Sequence, residues 1–437
     1  MTAAAALRHR RRAAQDPCAL APAAPEPGGT GLSDRVDRPP ALIERGTPAF
    51  RRTNLALFAA GFATFALLYC VQPLLPLLAA DFGLGAAGAS LALSATTGVL
   101  ALALLVASAL SEAFGRKPVM VASLLASGLL TLALAWVPSW PALIGLRALT
   151  GIALSGLPAV AMAYVGEEMH PRSIGLAMGL YIGGSALGGM SGRLITGVLA
   201  DFLPWRGALA VLALLCLAAG LLFWRSLPPS AHFRPNPLSA SHLLARFVEH
   251  GRDPGLRLLF AQGFLLMGGF VTVYNYAGFR LLEPPFGLGQ ATVSLIFVTY
   301  LLGTASSAWV GHLAGRLGRR RVLWITILVM AAGLALTLPA SLPLIAAGIA
   351  ILTIGFFGAH SIASSWVGLR ALEGKAQAAS LYLFAYYLGS SLVGSLGGLF
   401  WSAAGWPGVV GLVAVLLALA LLGATRLARL PPKATLG

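Results

Sequence analysis

Charge is what this sequence has least of. Asp, Glu, Lys and Arg make up 10% of its 437 residues, where a soluble domain carries about 25%. Acids are the scarcer kind, 14 against 30 Lys and Arg. None sits in the middle of an apolar run: Asp81 and Asp201 lie outside the runs, and Glu167, Glu168 and Glu373 lie at their ends. Cysteine is limited to Cys18, Cys70 and Cys216, without metal-ligand spacing. The two thiols inside apolar runs read as small apolar fillers. There is no Gly-x-x-x-x-Gly-Lys-Ser/Thr loop and no His-Glu-x-x-His, so neither ATP hydrolysis nor zinc-protease chemistry has its residues here. No enzyme activity, cofactor or metal is expected. The net charge of +16 does not point to nucleic acid. The bases stand in short clusters between apolar runs, without aromatic interleaving or a basic face.

What the chain has in abundance is apolar sequence, 58% of its residues. A membrane-spanning helix needs about 20 apolar residues. Twelve stretches qualify: 54–80, 88–110, 118–137, 140–166, 173–199, 207–225, 256–280, 290–312, 321–339, 342–366, 374–400 and 407–425. An all-α membrane protein of two six-helix bundles, 51–225 and 256–426, is expected, joined by a cytoplasmic linker over 226–255. Residues 1–50, rich in Ala, Pro and Arg, read as a disordered cytoplasmic tail, and 427–437 as a second tail. All but four of the 30 Lys and Arg fall in the tails or on alternate loops of one side; Arg147, Arg193, Arg206 and Arg280 are the exceptions. That asymmetry places both termini in the cytoplasm.

The two halves repeat. Ser111–Pro118, with Gly-Arg-Lys at 115–117, returns as 311–321, and Gly115 and Gly318 are 203 positions apart. Phe82-Gly83-Leu84-Gly85 returns as Phe286-Gly287-Leu288-Gly289, and the Gly-rich run 183–189 is echoed over 389–395. Collinear matches at nearly one offset indicate a tandem duplication.

Twelve runs in two halves, with such loops after the second and eighth, resemble the major facilitator superfamily over about 51–430. The family loop is Gly-x-x-x-Asp-Arg-x-Gly-Arg-Arg/Lys. The first copy has Ser108, Glu112 and Ala113 at the glycine, acid and first arginine, and keeps Gly115, Arg116 and Lys117. The second keeps Gly311, Arg316, Gly318, Arg319 and Arg320 but has Gly315 for the acid. These are the expected gating residues, with Glu112 pairing a base or helix N-terminus of the other half. The competing reading makes the cations simple membrane anchors.

Gly184-Ser185-Ala186-Leu187-Gly188-Gly189 resembles the family's antiporter signature, with Ser185 where proline stands. Gly184, Gly188 and Gly189 are expected to pack helices closely. Arg147, followed four residues on by Gly151, resembles the pattern of the fourth span and is expected to face a cavity, where it would bind an anion; snorkelling to the outer surface is the alternative. Arg193 reads equally as a substrate contact or as an outer anchor near Asp201. Gln72, Asn275 and Tyr276 are further cavity candidates, with His360 and Tyr386 behind them. Within the superfamily, Gln-Pro-Leu-Leu-Pro at 72–76, Gly-Arg-Lys-Pro-Val-Met at 115–120 and Gly-Gly-Met-Ser-Gly-Arg at 188–193 resemble the YnfM-type bacterial inner-membrane proteins. That resemblance implies a monomeric, multi-pass carrier in the cytoplasmic membrane, exporting a small organic solute by alternating access, driven by protons. Uptake of an organic anion, and a non-transporting sensor or scaffold on the same fold, are the alternatives.

Overall fold

The computed structural model describes residues 42–233 and 240–431, without the side chains of 108, 109 and 240–243. Residues 1–41 of the expected tail, 234–239 of the linker and 432–437 of the second tail lie outside the described residues. Residues 42–50, which composition assigned to the tail, are built onto the first half. The Ile43 N–H donates to Glu168 O (2.8 Å), His170 N–H donates to Ile43 O (3.1 Å), and the Ile43 side chain is buried.

The first half comprises α1 (Pro48–Tyr69), α2 (Leu75–Phe82), α3 (Ala86–Phe114), α4 (Arg116–Ala133), α5 (Trp140–Ser155), α6 (Pro158–Glu168), α7 (Pro171–Leu199) and α8 (Trp205–Ser226). α9 (Ala240–Arg252) lies in the linker. The second half comprises α10 (Pro254–Leu282), α11 (Gln290–Ser294), α12 (Tyr300–Leu317), α13 (Arg319–Leu336), α14 (Leu342–Arg370) and α15 (Lys375–Arg429). Among the described residues, nine helical stretches are long and apolar enough to cross a membrane. α1 and α13 are long helices that carry Arg51 and Arg52, and Arg319, Arg320 and Arg321, in their first turns. α15 runs 55 residues but is broken at Gly405 (φ 60°, ψ −145°), two residues before Pro407.

Local chemistry sets the helix ends. Thr47 Oγ1 accepts from Phe50 N at the start of α1 (3.1 Å), and Asp253 accepts from Leu256 N at the start of α10 (2.8 Å). Each is followed by proline at the first helical position, where no N–H is needed. The duplication is visible in the backbone. Gly115 (φ 94°, ψ 150°) and Gly318 (φ 82°, ψ 142°) make the same left-sided turn at the two charged loops. Gly83 and Gly287 both have positive φ. Such angles strain any residue with a Cβ.

Glycine also brings the helices together. A Cβ on Gly184 would stand 2.5 Å from Phe58 O, and one on Gly188 2.1 Å from Phe62 O, where α7 crosses α1. The second half repeats this: a Cβ on Gly389 would stand 2.2 Å from Phe264 O, where α15 crosses α10. Gly192, 2.5 Å from Ala66 Cα by the same measure, extends the seam. Gly189 faces α1 at ordinary distance, its added Cβ 3.8 Å from Phe65 Cβ and 3.4 Å from Arg193 Nη1. Gly188→Ala should therefore force α1 and α7 apart and lower the melting temperature in detergent clearly, while Gly189→Ala changes it little. Equal effects from the two would contradict this division.

Candidate functional site

α1 stops at Tyr69, and the chain turns through 70–74 around Pro73 before α2 begins. Unwinding leaves the last carbonyls of α1 without helical partners. Arg147, fully buried on α5, takes them. Its Nη1 donates to Leu67 O (3.1 Å) and its Nη2 to Leu68 O (2.8 Å), while Nε donates to Ala92 O on α3 (2.9 Å). Gly151 makes this possible: a Cβ there would be 2.4 Å from Thr96 O, so α5 can lie against α3. The expectation that Arg147 faces a solute cavity is thus corrected. It ties α1, α3 and α5 together as a cation at a helix C-terminus.

Gln72 lies in the turn after α1 and bridges the halves. It accepts from Arg193 Nε at Oε1 (2.5 Å) and donates through Nε2 to Asn275 Oδ1 on α10 (2.8 Å). Gln72 and Asn275 are 203 positions apart, the same offset as Gly115 and Gly318. The duplicated halves therefore meet through repeat-related residues. The Arg193 guanidinium lies 3.9 Å from the Tyr69 ring centroid, 4.8 Å from Tyr300 and 5.4 Å from Phe297. A cation held by rings from both halves needs no carboxylate to be tolerated here. Asp201, the alternative partner for Arg193, is used elsewhere. It accepts from Gln290 N (3.1 Å) and Ala291 N (3.0 Å), at the first turn of α11 in the other half.

Further contacts close the same end. Gln290 Nε2 donates to Pro73 O, and Ser391 Oγ donates to Ser94 O (2.8 Å). These residues all lie in the half of the molecule bearing the 200–204 and 283–289 loops. At the opposite end the charged loops are tied within their own halves. Arg116 forms a bidentate pair with Glu167 (2.7 Å) and donates to Ser111 Oγ, and Lys117 Nζ donates to Leu227 O. Arg116 and Lys117 thus staple the ends of α4, α6 and α8. The second copy is different: Gly311, Arg316, Gly318, Arg319 and Arg320 are exposed, and Arg320 donates to Leu430 O (2.8 Å). Glu112 is half-buried, with Glu167 rather than Glu112 as the partner of Arg116.

Between the closed end and the charged loops stands a group of aromatic side chains. His360 Nδ1 and Tyr382 OH are 2.9 Å apart, and His360 stacks on Phe356 and meets Tyr386 at a tilt. His360 and Tyr386 are half-buried. Tyr386 and Tyr387 on α15 meet edge to face, ring centroids 5.1 Å apart. Tyr276, expected in the cavity, is corrected. It is fully buried, donates to Gly394 O (2.8 Å) and stacks on Trp401. Tyr300, Phe297 and Ser391 were not identified from sequence, because a ring or hydroxyl inside an apolar run looks like packing.

Two charged clusters outside the spans are held by ion pairs. The Asp81 carboxyl receives Arg206 (2.8 Å) and Trp205 Nε1 (3.0 Å), and the Arg206 bond, with Trp205 second, holds its pKa below the ordinary value. A depressed carboxylate stabilises the fold above its unfolded pKa and loses that contribution as pH falls through the folded value. The pair therefore stays charged at neutral pH. On the linker, Arg246 pairs with Glu373 (2.9 Å) and Glu249 (3.0 Å), and those bonds raise its pKa further.

Comparison with known proteins agrees with this architecture. The Major Facilitator Superfamily model matches residues 57–283. The chain is 52% identical to the inner membrane transport protein YnfM of Escherichia coli K12, over 90% of this chain and 94% of that one. It is 48% identical to the uncharacterized MFS-type transporter YybF of Bacillus subtilis 168, over 87% and 94%. Among solved structures, a bacterial homologue of the human lysosomal transporter Spinster, inward-facing and occupied, superimposes with a TM-score of 0.73 at 14% identity, over 88% of this chain and 98% of that one.

Proposed function

The chain belongs to the major facilitator superfamily of membrane transporters, and from that premise we propose that it is a secondary carrier that exports a small organic solute across the bacterial cytoplasmic membrane in exchange for protons. The spans are taken as twelve: the nine apolar stretches, the arginine-headed α1 and α13, and the division of α15 at Gly405. The positive-inside asymmetry puts the charged loops at 115 and 318 in the cytoplasm, so the closed end faces outward. The observation that carries the reading is the one-ended closure. Repeat-related Gln72 and Asn275 bond across the halves beside Arg193, while Arg116 and Lys117 are tied inside the first half. Two packed bundles joined at one end are the arrangement that rocks about a central site. His360, which shares a hydrogen bond with Tyr382 OH and stacks on Phe356, is assigned to proton coupling as the imidazole of the aromatic site.

A second reading, uptake of an organic anion, is favoured by Arg193, a cation buried among rings and amides. Purified protein in proteoliposomes, screened against organic solutes with and without an imposed pH gradient, tests both. Export reads as solute movement against its gradient when protons flow the other way. Uptake of anions alone, indifferent to pH, would replace the first reading with the second. No movement of any solute would leave the sensor or scaffold.

Glu112 is assigned to the opposite state, in which the cytoplasmic end closes and its carboxylate meets the second half. Glu112→Gln should slow turnover several-fold at nearly unchanged solute affinity, measured as transport rate against equilibrium binding. Parallel loss of rate and affinity would place Glu112 in the binding site instead.

A further inference from the structure

Two clefts open on the second half at the end bearing the charged loops. One, of about 460 Å³, is lined by Arg257 and Leu258 of α10 and by Arg426, Arg429 and Leu430. The other, of about 430 Å³, is lined by Arg320, Arg321, Trp324 and Ile325 of α13 and by the last turns of α15, again including Arg429. Arg429 forms the ridge between them. Among the described residues no carboxylate lines either cleft. This distinguishes the group from three other arginines at the same end. Arg116 is neutralised by Glu167, Arg246 by Glu373, and Arg370 by Asp253 at 2.6 Å. Below the guanidinium groups the surface turns apolar: Trp324 is 43% and Ile325 42% exposed, on a helix that presents them to the acyl region.

We propose that these paired clefts bind one anionic phospholipid carrying two phosphates, a diphosphatidylglycerol, with one phosphate in each cleft and its acyl chains along α13 and α15. Several arginines without acids form a planar, multidentate phosphate receptor. Basic pockets between spanning helices bind such headgroups when apolar surface continues beneath them. Two adjoining clefts sharing a cation match two phosphates joined by a glycerol better than one. Because the clefts lie wholly in the second half, the lipid would hold α10, α13 and α15 together without bridging the halves. The proposal rests on the chain spanning a membrane, and not on which solute it carries or which end faces the cytoplasm.

Native mass spectrometry of the purified full chain with defined lipids tests it. Diphosphatidylglycerol should remain bound through collisional activation that strips phosphatidylethanolamine. Replacing Arg257, Arg426 and Arg429 by Gln together should weaken it about 100-fold, at about fivefold per arginine. A control triple replacement of Arg51, Arg52 and Arg225, removing the same charge elsewhere, should leave binding intact. Should the first triple variant not purify folded, Arg429→Gln alone carries the test with about a fivefold loss. Inorganic pyrophosphate at millimolar concentration should not displace the lipid. Equal retention of phosphatidylethanolamine, equal loss in both triple variants, or full displacement by pyrophosphate would each overturn the assignment.

Discussion

Arg147→Ala unfolds the joint between α1, α3 and α5 rather than removing solute binding alone. The guanidinium serves three backbone carbonyls, of Leu67, Leu68 and Ala92, from a fully buried position. Alanine takes the guanidinium from all three, leaving Leu67 O only the Cys70 thiol as a side-chain donor. An orphaned buried acceptor costs about 1–3 kcal/mol, a large share of the net stability of a typical domain. The variant should accumulate poorly, and what is purified should melt far below the parent. Arg147→Lys, which keeps the charge but not the planar fork, should fall in between. Melting is the readout. A variant that melts like the parent while losing an anionic solute would restore Arg147 to the cavity.

Gln72→Ala should release the closed end. Gln72 is the middle member of a chain from Arg193 to Asn275, and its loss breaks both bonds at once. A bond from a charged donor is worth about 1.5–3 kcal/mol and a neutral one about 1 kcal/mol. A shift of about 3 kcal/mol moves a two-state equilibrium more than 100-fold. The outward end should therefore open more than 100-fold more often, and transport should fall although the protein stays folded. Asn275→Ala removes only the neutral bond and should cost about fivefold. The double variant should resemble Gln72→Ala alone, because the two residues act through one bond. Full additivity in transport rate would show that they act separately.

How much of this was legible in the sequence differs by kind of interaction. The fold was legible because a membrane imposes long apolar runs and sorts Lys and Arg by side. The duplication was legible because glycines at 83, 115, 287 and 318 are needed for backbone angles that recur in both halves. Gln72 and Asn275 were recognised as polar candidates for the cavity. That they bond to each other was not legible, since the offset shows equivalence and not contact. Arg147 misled because a lone cation in an apolar run reads as cavity-facing, and the unwound end of α1 that engages it is a tertiary fact. Arg193 was read as near Asp201 in sequence, yet Asp201 caps the other half and the cation sits among rings. Aromatic holders of charge are hard to identify in a chain whose packing residues are also aromatic.

The central claim is that the two halves rock, one end opening as the other closes. Spin labels at exposed positions on the two halves report it directly: Phe202 with Ala340 at the closed end, and Phe114 with Leu317 at the charged-loop end. The native cysteines are replaced beforehand. Pulsed dipolar distances are then measured with and without a transported solute and across pH. The expected result is reciprocal, the first pair lengthening as the second shortens, with Gln72→Ala favouring the long first distance without solute. Distances that stay fixed, or that lengthen and shorten together, would contradict alternating closure of these halves.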